Sequence, residues 1–141
     1  MQGLKRRFVY VTAYEAIAIL VTTAAMAAIL GVGPAQAGTA SVLASAVAVA
    51  WNLGWNWLFE AWEARRRAGG RGVLRRVAHA IGFEGGLLVF LVPLMAWSLG
   101  IGLVEAFVLD LGFLAFFLVY TFVFNLAFDT LFGLPASAAR A

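Results

Sequence analysis

Cysteine is absent from the chain, which excludes disulfides, thiol redox chemistry and thiolate metal sites together. Charge is scarce as well: acidic and basic residues make up 12% of the 141 positions, about half of what a soluble domain carries. Histidine occurs once, at His79. A nitrogen-ligated metal site therefore lacks a second imidazole, and the acids are spread over several segments, so no metal is expected. Bases are missing from long stretches. They occur only at Lys5, Arg6 and Arg7, between Arg65 and Arg76, and at Arg140. A nucleic-acid binder spreads basic residues over a folded face, so this placement argues against DNA or RNA as a partner. No hydrolase, kinase or dinucleotide motif is present, and no cofactor or enzymatic activity is expected.

What remains is apolar. Hydrophobic residues form 64% of the chain, and the mean hydropathy is +0.94. Four apolar stretches, at about 8–32, 40–59, 77–99 and 104–132, are each long enough to cross a bilayer, which takes about 20 helical residues. A span isolated in lipid must satisfy its own backbone hydrogen bonds, so each is a helix. The predicted fold class is an all-α integral membrane protein of four transmembrane helices. The first stretch has a basic start and an Ala35-Gln36-Ala37 that looks like a cleavage site. Its length exceeds the 7–15 residues of a signal h-region and it holds Glu15, so it is read as retained.

Arg65, Arg66, Arg67, Arg71, Arg75 and Arg76 crowd the middle connection, whereas the connections near 33–39 and 100–103 hold no base. The positive-inside rule then predicts that both termini and the middle connection are cytoplasmic. Gly69, Gly70 and Gly72 make that connection a flexible joint.

Shifted by 69 residues, the sequence falls on itself without a gap. Arg7 meets Arg76, Glu15 meets Glu84, and Met26–Gly33 meets Met95–Gly102 with five of eight positions identical. Trp51, Asn56, Phe59 and Glu60 then meet Tyr120, Asn125, Phe128 and Asp129. One register held over four segments is a tandem duplication of a two-helix unit. The predicted halves are residues 1–68 and 69–141. Each contains two crossings, so the repeats are parallel and related by a pseudo-two-fold along the membrane normal.

Polar residues inside the apolar spans carry the candidate chemistry. Glu15 and Glu84 lie eight residues in from Arg7 and Arg76, about 12 Å along a helix and near the middle of a hydrocarbon core about 30 Å thick. A charge there costs at least about 2.5 kcal/mol on insertion scales, which favours a working proton carrier over a glutamate held for packing alone. Tyr10 and Tyr14 flank Glu15, and His79 and Phe83 flank Glu84. Rings beside a carboxylate suit an organic cation. Trp51 and Tyr120 fall near mid-membrane, where cavity lining and ordinary packing both remain open. Asn52, Asn56, Phe59 and Glu60 share one helix face, and Thr121, Asn125, Phe128 and Asp129 repeat it. Asn56 and Asn125 serve either substrate or helix–helix hydrogen bonds. Glu60 and Asp129, level with Arg7 and Arg76, are expected to form structural ion pairs. His79 is either a proton relay beside Glu84 or a packed, hydrogen-bonded ring. Glu105 and Asp110 fall toward the periplasmic side, attracting cations or simply solvated. Gly82 and Gly86 form a G-x-x-x-G that admits a neighbouring helix, and Pro93 is expected to bend the third span.

The stretches Arg7–Glu15, Trp51–Glu60, Arg76–Glu84 and Tyr120–Asp129 resemble, in order, the motifs of the proteobacterial antimicrobial compound efflux family, the paired bacterial transmembrane domain proteins. Those motifs read R-x-x-H-x-x-x-F-E and W-N-x-x-[FY]-N-x-x-[FY]-D, each with a repeated variant. Tyr10 stands where histidine is common, and Glu60 replaces aspartate. The resemblance covers all four helices. It implies an inner-membrane antiporter that exchanges protons for cationic biocides or short diamines, with Glu15 as the coupling carboxylate. The expected partners are protons, cationic small molecules and the bilayer. A homodimer is also expected, since four helices enclose little volume. The rival classes are a non-transporting accessory subunit, in which the polar groups only bind helices together, and a passive cation channel.

Overall fold

A computed structural model of the chain describes residues 3–66 and 72–134. Much of the connection expected over 60–76 is helical, one helix running to Arg65 and the next starting at Val73; its residues 67–71, and Arg140, lie outside the described residues. Four helices follow one another: α1 (Gly3–Leu30), α2 (Pro34–Arg65), α3 (Val73–Leu99) and α4 (Leu103–Phe132). All four are long and apolar enough to cross a membrane. At 1.5 Å per residue each exceeds the hydrocarbon thickness. Each helix starts before the apolar stretch seen in sequence, and α2 also runs past its end, because hydropathy marks where hydrocarbon ends and not where hydrogen bonding does; α1 stops two residues short, at Leu30.

Each hairpin turns in three residues, and the two turns match at the 69-residue offset. Gly31 and Gly100 close the outgoing helices with φ of +67° and +65°, a conformation in which a β-carbon is strained. Gly33 and Gly102 then start the returning helices from extended backbone, with Pro34 preset for the first turn of α2. The carbonyls of Gly33 and Gly102 accept from the N–H groups of Ala37 and Ala106 at 3.0 and 2.9 Å. Such short turns force antiparallel neighbours, and the chain forms a closed ring in the order α1, α2, α3, α4.

The tightly packed part of the bundle lies at this hairpin end. Met26, Ala37, Ala40, Met95, Leu99 and Ala106 are buried together, two methionines and two alanines of the set being repeat equivalents. Alanines with no exposed surface let the helix backbones approach closely. Elsewhere the helices are apolar on all sides, and Leu20, Leu53, Ile81, Val89, Leu118 and Phe122 are left exposed, as suits a surface solvated by lipid.

The two seams between repeats are equivalent in bonding but not in spacing. In the α2–α3 seam, Trp51 Nε1 donates to the Phe83 carbonyl at 2.9 Å. In the α4–α1 seam the equivalent Tyr120 hydroxyl donates to the Tyr14 carbonyl at 2.8 Å. His79 Nε2 meets Asn56 Oδ1 at 3.1 Å, and its equivalent Tyr10 donates to Asn125 Oδ1. Gly82 and Gly86 hold the α2–α3 seam close: a β-carbon on either would overlap the ring of Trp55 or Trp51. The glycine pair thus admits two indoles where a helix backbone was expected. Its equivalents in α1 are Ala13 and Ile17, and the stacked pair Tyr10 and Tyr14, with Phe124 packed edge-on against both, keeps α1 and α4 apart. Pro93 lies inside α3, which continues unbroken from Val73 to Leu99.

Gly86→Ala should lower the thermal unfolding midpoint in detergent, since forcing a methyl into packed rings costs about 1–3 kcal/mol. Gly85→Ala, one position away with open space around it, should leave the midpoint unchanged or raise it. Equal effects at the two positions would sink the packing account.

Candidate functional site

The ring encloses a cavity of about 610 Å³ lined by all four helices. Glu15 enters it from α1, Glu84 from α3 and Asp110 from α4, and among the described residues no lysine or arginine lines it. The Ser45 hydroxyl on α2 donates to Glu15 Oε2. Tyr10, Tyr14, Phe83, Phe113 and Phe117 supply ring faces and edges. Toward the hairpins the cavity ends against Met26 and Met95, both members of the buried cluster that packs that end. Three acids without a base give the cavity a negative potential in a low-dielectric setting. The aromatic walls add the negative faces that attract an organic ammonium.

Of the residues singled out in sequence, Glu15, Glu84, Tyr14 and Asn52 line the cavity. Trp51, Asn56, Tyr120 and Asn125 do not; their polar atoms tie the two seams, as described above. Asn52 links the two roles, accepting from Asn56 Nδ2 at 2.7 Å while lining the cavity. His79 packs edge-on against Phe59 with ring centres 4.7 Å apart and faces α2, so it stands outside the cavity that Glu84 enters.

The ion pair drawn for Arg7 is made by its neighbour. Arg6 Nη2 donates to Asp129 Oδ1 at 2.6 Å, and Arg6 Nη1 donates to the carbonyl of Gly133 at 2.6 Å. The guanidinium also sits 5.0 Å from the centre of the Phe128 ring. Positions 6, 10 and 14 share one face of α1, toward α4, whereas position 7 is rotated by about 100°. Arg7 is accordingly exposed, as are Glu60 and Arg76. The helical phase, which the motif alone does not reveal, decides which of two adjacent arginines is used. Arg75, the equivalent of Arg6, lies 5.9 Å from the Trp62 ring centre.

For Asp110 the sequence left two roles open, attracting cations or simply being solvated, and the structure excludes the second. Read as lying toward the periplasmic side, it is buried, with 4% of its surface exposed. The available signal was the one used for Glu15: an acid two helical turns inside an apolar span.

The fold and this cavity define a class, a four-helix membrane protein with an acidic, aromatic-walled central chamber. The chain belongs to the chlorhexidine efflux transporter family, which matches residues 2–65 and again 71–134, two segments displaced by the same 69 residues as the repeat. It is thus a multi-pass transporter and not an enzyme, in the family that the four motifs resemble. Three relatives are each named a short-chain diamines transporter. That of Acinetobacter baylyi is 37% identical over 90% of this chain and 89% of its own length. That of Acinetobacter baumannii is 37% identical over 89% of this chain and 86% of its own. The Vibrio parahaemolyticus protein is 35% identical over 87% of each. No solved structure matches.

Arg6→Ala should lower stability by on the order of 2 kcal/mol, the scale of a charge-assisted hydrogen-bond set. Arg7→Ala should stay within about 0.5 kcal/mol of the parent. Unfolding midpoints in one detergent compare the two directly, and the reverse ranking would overturn the assignment of the clamp to Arg6.

Proposed function

We propose that the protein exports organic cations, short diamines among them, from the cytoplasm in exchange for protons, with Glu15 as the coupling carboxylate. The observation that carries this reading is the cavity itself, in which Glu15 projects from α1 among aromatic rings with two further acids and, among the described residues, no base. A short-chain diamine carries two ammonium groups near neutral pH, since alkyl amines lose their protons only near pH 10. An acidic chamber can hold both. The names of the relatives support the substrate class.

Ionised Glu15 holds the cation loaded from the cytoplasm. A proton arriving from the other side neutralises the carboxylate, removes the charge that held the substrate and releases it. Cation and proton compete for one group, so neither crosses without exchange for the other. The packed Met26, Met95, Ala37, Ala106 cluster serves as the closure on the outer side, and alternating access requires it to part. The arginines of the middle connection support cytoplasmic placement of both termini, and the bacterial inner membrane is the compartment.

In proteoliposomes with an imposed pH gradient, the parent should move a fluorescent organic cation and Glu15→Gln should lose nearly all gradient-driven flux. Transport by Glu15→Gln at the parental rate would remove the coupling role. Conductance without any need for a gradient would instead indicate a channel. The absence of cysteine makes topology simple to read. Single cysteines introduced at Gly72 and at Val32 should react with an impermeant maleimide from opposite faces, Val32 from outside, and labelling of both from one face would reject the orientation.

A further inference from the structure

We infer that Asp110 is a second ammonium subsite at the hairpin end of the cavity, so that a dication bridges Glu15 and Asp110. The inference rests on the cation-exporting reading of the same cavity and adds the residue that takes the far end of the substrate. Among the described residues, four buried side-chain polar atoms lack a hydrogen-bond partner: Trp55 Nε1, Ser98 Oγ and both carboxylate oxygens of Asp110. Only the Asp110 oxygens belong to a residue that lines the cavity. A buried carboxyl group left without donors is destabilising, and more so when it is charged. An ammonium carries three donors and a compensating charge, and it is the ligand chemistry that removes this deficit. Phe113 and Phe117 follow Asp110 at i+3 and i+7 on the same face of α4 and also line the cavity, which sets aromatic rings beside the carboxylate.

The spacing fits a molecule with two charges. Asp110 corresponds to Ser41 in the 69-residue register. Ser41 is buried and shares a hydrogen bond of 3.0 Å with Thr22 of α1, which fixes its level. Thr22 lies seven residues beyond Glu15 on the same helix, a rise of about 10 Å. The matched hydrogen bonds of the two seams relate the repeats by a two-fold along the bundle, so Asp110 stands at the level of Ser41. An extended short diamine, with one hydrogen bond at each end, spans such a separation. A monoamine of the same chain length reaches one carboxylate only. Glu84 lies at the level of Glu15 by the same symmetry, so its separation from Glu15 runs across the bundle instead of along it.

Calorimetric titration of the full-length protein in detergent with 1,5-diaminopentane and with n-pentylamine tests this directly. Asp110→Asn should weaken diamine binding at least about tenfold and leave pentylamine within about twofold, whereas Asp110→Glu should keep the preference for the diamine. The unfolding midpoint without ligand should not fall in Asp110→Asn, because no protein donor is lost. Added diamine should raise the midpoint of the parent more than that of the variant. Equal weakening of both amines, no weakening of either, or a large loss of ligand-free stability would overturn the subsite. So would a parent that binds neither amine. Flux in proteoliposomes is read separately: a parent that binds the diamine through Asp110 without moving it against a pH gradient would refute the antiport and leave the subsite standing.

Discussion

Hydrocarbon offers no hydrogen bonds and no dielectric screening, so every polar group within the spans must find its partner inside the bundle or go without one. The backbone meets this demand by forming helices, and the side chains meet it at the two seams. Trp51, Tyr120, His79 and Tyr10 each send a polar atom across to the other repeat. These bonds are placed by the duplication, since whatever secures α2 to α3 has a counterpart securing α4 to α1. Arg6 extends the second seam to the surface by joining the start of α1 to Asp129 and to the carbonyls at the end of α4, where the negative end of the helix dipole also favours a cation.

The same constraint separates groups that hold the bundle together from groups that await a ligand. The seam asparagines are bonded to neighbouring helices and are thereby committed to structure. Asp110 has no protein donor among the described residues and belongs to the lining of the chamber. Glu15 is intermediate, with one bond from Ser45 and acceptor capacity left over. Most polar groups at the seams are satisfied by protein, Trp55 Nε1 excepted, whereas the acids of the chamber are not fully so.

Symmetry supplies two chemically similar halves, and its breaking gives the cavity its shape. Gly82 and Gly86 receive indoles and bring α2 against α3. Ala13 and Ile17 have no such notch, and tyrosine and phenylalanine rings stand between α1 and α4. One seam is therefore tight and the other is spaced by rings. The two seams are thus unequal, and the ring of four helices is asymmetric about the cavity.

Much of this was legible in the chain. Lipid permits only one backbone solution, so hydropathy determined the four helices, and a gapless 69-residue register determined that the second pair repeats the first. The motif acids Glu15 and Glu84 were recognisable because a carboxylate in an apolar span is expensive wherever it points. Rotational phase was not legible: it selects Arg6 over Arg7, turns Trp51, Asn56, Tyr120 and Asn125 into the seams, and aims Asp110 inward. A difference of one residue rotates a side chain by about 100°, and only the packing of four helices around a shared cavity decides which faces meet.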